Sequence, residues 1–311
     1  MIAFIFPGQG SQQVGMGLAL ARTFPICRQA FDEADDALGE PLSRICFEGP
    51  ESVLTLTENT QPAILAVSIA ATRLLASRGI TPAFVAGHSL GEYSANVAAG
   101  TFAFADALRI VRRRGRYMQD AVPVGAGAMA AILGLDADQV ARACAEAADG
   151  DVVSPANMNG PGQVVIAGSA GAAARAAERA RALGAKRVVP LPVSAPFHCG
   201  LMRPAQDRLT PELRAIRTRR PQVPIVANVD AEPKRDAAAA VEALVAQISA
   251  PVRWEAVVRR LASEGVTTYV EVGPGTVLSG LVRKIHREAT IKSFSGPDDL
   301  AAVDSLITRH V

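Results

Sequence analysis

Little in this sequence invites a metal, a nucleotide or a nucleic acid. Its four cysteines, Cys27, Cys46, Cys144 and Cys199, form no CxxC pair and no metal-ligand spacing. They read as reduced thiols of a cytosolic protein rather than a disulfide frame. There is no GxxxxGK[ST] and no GxGxxG, which argues against a nucleotide site. The net charge is only +2, with no basic tail and no basic–aromatic interleaving, so nucleic acid is not an expected partner. Aromatic residues are 5% of the chain while alanine is abundant, so helices pack closely. The most apolar helical stretch, Ala63 to Leu75, carries Arg73 and is too short to span a bilayer, so no membrane role is expected. The apolar start, Met1 to Phe6, lacks a positive n-region and stops at Pro7-Gly8, which predicts a first strand rather than a signal peptide. Repeats are absent, and Ala237 to Ala240 is only a short alanine run.

What is present is a 311-residue chain, 49% hydrophobic, long enough for one large domain or two unequal ones. Its organising stretch is Gly87-His88-Ser89-Leu90-Gly91-Glu92. The apolar run Ala83 to Ala86 predicts a buried strand before this stretch, and Leu90 to Ala99 a helix after it. A serine at such a strand–helix corner sits on a tight turn, and the flanking glycines are there because a β-carbon would crowd it. The turn lifts the Ser89 hydroxyl outward and places the first free N–H groups of the helix beside it, where an oxyanion could be stabilised. The plainer alternative is a serine N-cap on an ordinary connection.

Ile2 to Phe6 reads as a strand buried on both faces, followed by a Gly- and Gln-rich loop, Pro7 to Gln12, suited to close backbone approach to a ligand. Helices are predicted for Met16 to Phe31, for a segment opened by Thr60-Gln61-Pro62 with Thr60 as N-cap and closed by Gly79, and for Ala105 to Met118. The last carries Arg112, Arg113, Arg114 and Arg116, which cannot share one face; one of them could turn inward to hold an anion. From Pro123 to Val193 the order is strand, helix, strand, strand, helix, strand, with a turn at Asn157 to Gln163, the split-βαβ pattern of a ferredoxin-like unit. Later strands are predicted at Val223 to Asn228 and Thr267 to Val272, and helices at Val241 to Ile248, Val252 to Ser263 and Val277 to Arg287. The fold class is therefore α/β. A large α/β-hydrolase-like domain with a mostly parallel sheet, residues 1–122 and 194–311, carries an inserted ferredoxin-like subdomain, residues 123–193.

Four histidines could serve Ser89 as base. His88 adjoins the serine and should point away from it. His286 lies among Arg283, Lys284 and Arg287 and looks solvated, and His310 is at the terminus. His198, between Pro196-Phe197 and Gly200-Leu201, remains by elimination. No acidic residue has a clear claim as the third member, so a backbone or amide carbonyl could fix the imidazole tautomer.

Phe6-Pro7-Gly8-Gln9-Gly10-Ser11-Gln12, Asn59-Thr60-Gln61-Pro62, the Ser89 pentapeptide, Arg114-Gly115, Gly127 to Ala130, Asn157 with Pro161-Gly162-Gln163, Pro196-Phe197-His198, Pro251-Val252-Arg253-Trp254 and Glu271 to Gly275 occur in this order. Together they resemble the malonyl-CoA:acyl carrier protein transacylases, whose fold also serves as the acyltransferase domain of polyketide and fatty-acid synthases. The resemblance spans nearly the whole chain. It implies that Ser89 is the nucleophile and His198 its base, that Gln9 and the Leu90 N–H form the oxyanion hole, and that Arg114 binds the malonyl carboxylate. It also implies that Gln247 orients His198 through a carbonyl, with Gln61 and Asn157 in support. Phe197 would narrow the pocket and favour malonyl over α-branched groups. The expected reaction is ping-pong transfer of malonyl from malonyl-CoA to the phosphopantetheine thiol of acyl carrier protein, with no bound cofactor or metal, by a cytoplasmic monomer. A malonyl-thioester hydrolase and an acyltransferase serving a polyketide synthase are the alternatives. The acidic carrier would want a basic face, for which Arg217, Arg219, Arg220, Lys284 and Arg287 are candidates.

Overall fold

The computed structural model describes residues 1–306; His310 lies outside them. Among the described residues ten strands form two sheets. The larger, in the order β10-β9-β1-β2-β7-β8, comprises β1 (Ile2–Phe6), β2 (Phe84–Gly87), β7 (Ile225–Val226), β8 (Pro233–Lys234), β9 (Thr268–Val272) and β10 (Thr290–Phe294). All its pairings are parallel except β7 with β8. Strand β1 is central, and its alternation divides it between two cores. Phe4 and Phe6 join the cluster built around the helix Thr57–Ser77, while Ala3 and Ile5 join the cluster of Trp254, Val257 and Leu261. A strand buried on both faces is continuously apolar for this reason.

The smaller sheet, in the order β4-β5-β3-β6, is antiparallel and comprises β3 (Gly127–Leu133), β4 (Val153–Gly160), β5 (Gln163–Ser169) and β6 (Arg187–Pro190). Helices Ala137–Ala147 and Ala170–Ala182 follow the first and third of these strands, the split-βαβ arrangement expected. One face of the sheet, with Ile132, Val164 and Ile166, packs on those helices. The other, with Met129, Val165 and Ala167, belongs to the main core. Strand β4 is also tied by backbone to the segment at Val252, outside both sheets: Met158 N–H donates to Val252 O and Val252 N–H to Ala156 O, both at 2.8 Å.

Several boundaries differ from expectation. The segment 16–31 is two helices, Leu18–Thr23 and Pro25–Leu38, because Pro25 starts a new helix where it cannot continue the old one. The central helix starts at Thr57, three residues early, and Thr60 does not cap it. The Thr60 hydroxyl instead donates back to Leu54 O at 2.6 Å and Asn59 Nδ2 to Val53 O at 2.8 Å, so the preceding turn is tied to the helix. Asn157 to Asn159 are not a turn but edge strand, with register shifts at Pro155/Asn157 and Met158/Gly160. The helix ending at Gln247 begins at Ala237 under a side-chain cap from Asp236, and the one after it begins at Trp254, not Val252. Among the described residues no helix is long and apolar enough to cross a membrane, and the four cysteines are free and buried.

Candidate active site

Ser89 stands between β2 and the helix Leu90–Ala98 with φ 53° and ψ −107°, a left-handed value that L-residues rarely adopt. Two close approaches hold it there. A β-carbon on Gly87 would overlap the backbone of Gly91, and one on Gly91 would overlap the Phe6 carbonyl oxygen. Glycine is therefore required where the corner is pressed onto the end of β1. Ser89 occupies the N-cap position, but its hydroxyl caps nothing. Instead Ser89 Oγ lies 2.6 Å from His198 Nε2.

His198 is buried and also has positive φ, 60°. Its Nδ1 lies 2.9 Å from the backbone carbonyl of Gln247. A carbonyl only accepts, so Nδ1 carries the proton and Nε2 presents its lone pair to the serine hydroxyl. Burial first, and then the nearby Arg114 guanidinium, push the imidazole down to about 3, so the neutral ring is strongly favoured.

Of the five arginines on the helix Phe104–Asp120, only Arg114 reaches the serine, and Arg109 pairs with Asp106. Arg112 pairs with Glu40, Arg113 with Glu212 and Arg116 with Glu58 at the rim. Arg114 is 2% exposed. Its Nη1 donates to Gln61 Oε1 at 2.8 Å, and its Nη2 to Gln247 Oε1 at 2.9 Å and to Ser89 Oγ at 3.1 Å, with the Tyr93 ring beneath. The neighbouring Gly115 allows this approach, since a β-carbon there would stand 2.6 Å from Thr57 O on the central helix. Its three partners, Gln61, Gln247 and Ser89, are neutral, and its Nε has none among the described residues; a planar guanidinium fork can pair an anion bidentately.

These groups line a cavity of about 130 Å³ with Gln9, His88, Met118, Met129, Asn157, Leu191, Val193 and Phe197. A second cavity, of about 230 Å³, shares Gln9, His88, Asn157 and Leu191 with it and runs between the Pro7–Ser11 loop and Val277, Leu278 and Leu281. The backbone N–H groups of Leu90 and Gln9 have no acceptor among the described residues. Gln9 itself is exposed, its side chain reaching Thr57 Oγ1 at 3.4 Å. No group of three or more His, Cys, Asp or Glu among the described residues could hold a metal ion.

Residues 3–299 match the acyl transferase domain family. The chain belongs to that family. This acyltransferase is 50% identical over 301 residues to the malonyl CoA-acyl carrier protein transacylase of Escherichia coli K12, covering 96% of this chain and 97% of that one. It is 48% identical over 300 residues to the Bacillus subtilis protein of the same name, covering 96% and 95%. Among solved structures, an acyl carrier protein S-malonyltransferase of Vibrio cholerae superposes with TM-score 0.95 at 46% identity, covering 97% of this chain and 99% of that one. A malonyl-transacylase solved in complex with its type II PKS acyl-carrier protein does so with TM-score 0.96 at 46% identity, covering 98% and 99%.

In the acyltransferase the sequence-predicted residues Ser89, His198, Arg114, Gln61, Gln9, Asn157 and Phe197 thus line one small cavity, and Gln247 is buried behind it on Arg114, His198 and Ser89. His88 does point away from the serine, to Asn159 Oδ1 at 2.8 Å and against Trp254, yet it lines both cavities. His286 is not solvated: it is half-buried, edge-on to Tyr269 with Nδ1 3.1 Å from the phenol oxygen. The basic candidates divide. Lys284 reaches Gln163, on the second cavity's rim, whereas Arg219 bonds through its backbone to Thr101, beyond the far end of the elbow helix. Two residues that sequence reasoning left without a role complete the site. Asn228 accepts from Ser89 N–H at 2.8 Å and donates to Gly87 O at 2.7 Å. Glu92, buried in the elbow helix, accepts from Asn228 N–H and from Gln247 Nε2. A carboxylate among Leu90, Gly91, Tyr93, Ser94 and Ala95 was the only available signal.

Proposed function

We propose that this acyltransferase moves a malonyl group from malonyl-CoA to the phosphopantetheine thiol of acyl carrier protein through a malonyl ester on Ser89. Ser89 Oγ attacks the thioester carbonyl while His198 Nε2 takes its proton. The oxyanion is received by the free N–H groups of Leu90 and Gln9. Collapse breaks the C–S bond, and the departing CoA thiolate takes the proton from His198. The carrier thiol then gives its proton to His198, attacks the malonyl ester and regenerates the serine. Gln247 fixes the His198 tautomer through its carbonyl. Gln61 holds Arg114, and Asn157 and Phe197 bound the acyl group, Phe197 favouring malonyl over α-branched groups.

The observation that carries this reading is Arg114. A buried guanidinium within hydrogen-bond reach of the nucleophile, at the floor of a cavity sized for a short acyl group, selects an acyl chain that ends in a carboxylate. A neutral acyl group would leave that charge buried and unpaired. The carboxylate also strengthens the base, since Arg114 contributes to holding His198 protonation down.

We infer further that residues 1–122 and 194–311 form the catalytic unit and 123–193 an insert that roofs it. We take it to act as a monomer, since one chain supplies the serine, its base and the guanidinium, and the acyl transfer as written calls on neither cofactor nor metal. We place the enzyme in the cytoplasm, in keeping with its four unpaired thiols. For the acidic carrier, the second cavity is the channel for the pantetheine arm, and Lys284, bonded to Gln163 on its rim, borders it.

The test is labelled malonyl-CoA with and without holo carrier protein. Label should pass through a Ser89 adduct, seen by intact mass, and arrive on the carrier. Label recovered only as free malonate in the presence of carrier would replace transfer with hydrolysis.

A further inference from the structure

The carboxylate of Glu92 has no place in the reaction just described, yet it is 1% exposed and lies one residue layer behind the reacting groups. Its Oε2 accepts from Gln247 Nε2 at 2.8 Å and from Asn228 N–H at 2.9 Å. The Gln247 amide is the junction. Its Nε2 faces only oxygens, those of Glu92, Ser89 O at 2.9 Å and Asn228 Oδ1 at 3.3 Å, while its Oε1 faces Arg114 Nη2 at 2.9 Å. A terminal amide can rotate by a half-turn at little intrinsic cost. Here the flip would set Oε1 against the carboxylate and turn an NH₂ group toward the guanidinium.

We propose that Glu92 is a positioning residue for carboxylate selection: it locks the Gln247 amide with its oxygen toward Arg114, and so fixes the plane of the guanidinium that receives the substrate carboxylate. With Gln61 Oε1 holding Nη1 and Gln247 Oε1 holding Nη2, the fork has one orientation. Release of either amide lets it turn, and a bidentate contact is sensitive to that angle. An acyl group without a carboxylate does not use the fork, so Glu92 matters for malonyl and little for acetyl.

This inference rests on the acyl-transfer reading, and its test separates the two. The first-order rate of Ser89 acylation is measured by quenched mixing and intact mass, with malonyl-CoA and with acetyl-CoA, in the native enzyme, Glu92→Gln, Gln247→Met and the double variant. No adduct in the native enzyme would remove the transfer reading itself. Given the native adduct, Glu92→Gln, which can present either an oxygen or an NH₂ to Gln247, should lower the malonyl-to-acetyl ratio roughly tenfold, the scale of a lost charge-assisted hydrogen bond. Gln247→Met should lower it as far or further, and the double variant no further than Gln247→Met. A ratio unchanged in Glu92→Gln, with both acyl groups slowed alike, would reduce Glu92 to a structural role. Losses that multiply in the double variant would show that it does not act through Gln247. If the double variant does not fold, the ratio in Glu92→Gln decides alone.

Discussion

Arg114 must stay charged with almost no water and must also leave Ser89 free to react. Amide oxygens from Gln61 and Gln247 hold it, and on the proposed reading a substrate carboxylate completes its pairing. Arg114→Ala should therefore slow malonyl acylation by roughly 10²-fold, the scale of a lost buried charge pair, while largely sparing acetyl; equal losses, read from adduct rates, would defeat the anchor. The same residue bears on His198. With burial and Arg114 both acting against protonation, the base remains neutral well below the ordinary histidine range. The rate of Ser89 sulfonylation by a neutral reagent such as phenylmethanesulfonyl fluoride should show no acid limb near pH 6.5, and Arg114→Ala should move the limb upward; a native limb at 6.5 that ignores the substitution would contradict this. Ser89 and His198 were legible in the sequence because short motifs and elimination single them out. Arg114 was one of four open choices until the family motif named it. Glu92 and Asn228 were not legible as a pair, because 136 residues separate them and either one looks like an ordinary polar residue in its own element.

The elbow concentrates the fold's constraints in two glycines. Gly91→Ala would drive a β-carbon into the Phe6 carbonyl, backbone against backbone, so neither partner can rotate aside. It should cost about 3 kcal/mol or more, seen as an earlier urea midpoint with an unchanged slope. Gly280→Ala is the control. It lies inside the helix Val277–Ile285 with nothing within 4 Å of the added carbon, and should gain about 0.5–1 kcal/mol from helix propensity. A Gly91→Ala protein as stable as Gly280→Ala would mean that the corner is not set by this contact. The elements that sequence made legible share this character, with local punctuation such as Gly87, Gly91, Gly79 or Asp136. Those it hid depend on distant partners. The polar strand Thr290–Phe294 exists because β9 offers it a parallel edge, and Asn157 to Asn159 are strand because β5 and Val252 pair with them.

At the scale of the molecule, the site is paid for in opposite pH windows. Glu92 is pushed up to about 7 from 4.5, chiefly by burial. Between those values the folded chain keeps a proton that the unfolded chain releases, so this group's contribution to stability is lost as pH rises toward 7. His198 is pushed down to about 3 from 6.5, also chiefly by burial. There the unfolded chain takes up a proton that the folded chain refuses, so stability is lost as pH falls. The two slopes oppose each other between 4.5 and 6.5, which flattens the native profile. Glu92→Gln removes only the first. The difference in Tm between Glu92→Gln and the native enzyme should therefore rise as pH goes from 4.5 to 7 and level off above. At about 2–4 °C per kcal/mol for a chain of this size the rise is several degrees. Calorimetry across that range at constant ionic strength measures it, and a difference that is flat or shrinks with pH would mean that Glu92 is not held above its ordinary protonation range. With a rising difference and a fallen malonyl-to-acetyl ratio in the same variant, the buried carboxylate would be a residue that costs stability at neutral pH and is retained for the orientation it imposes on Arg114.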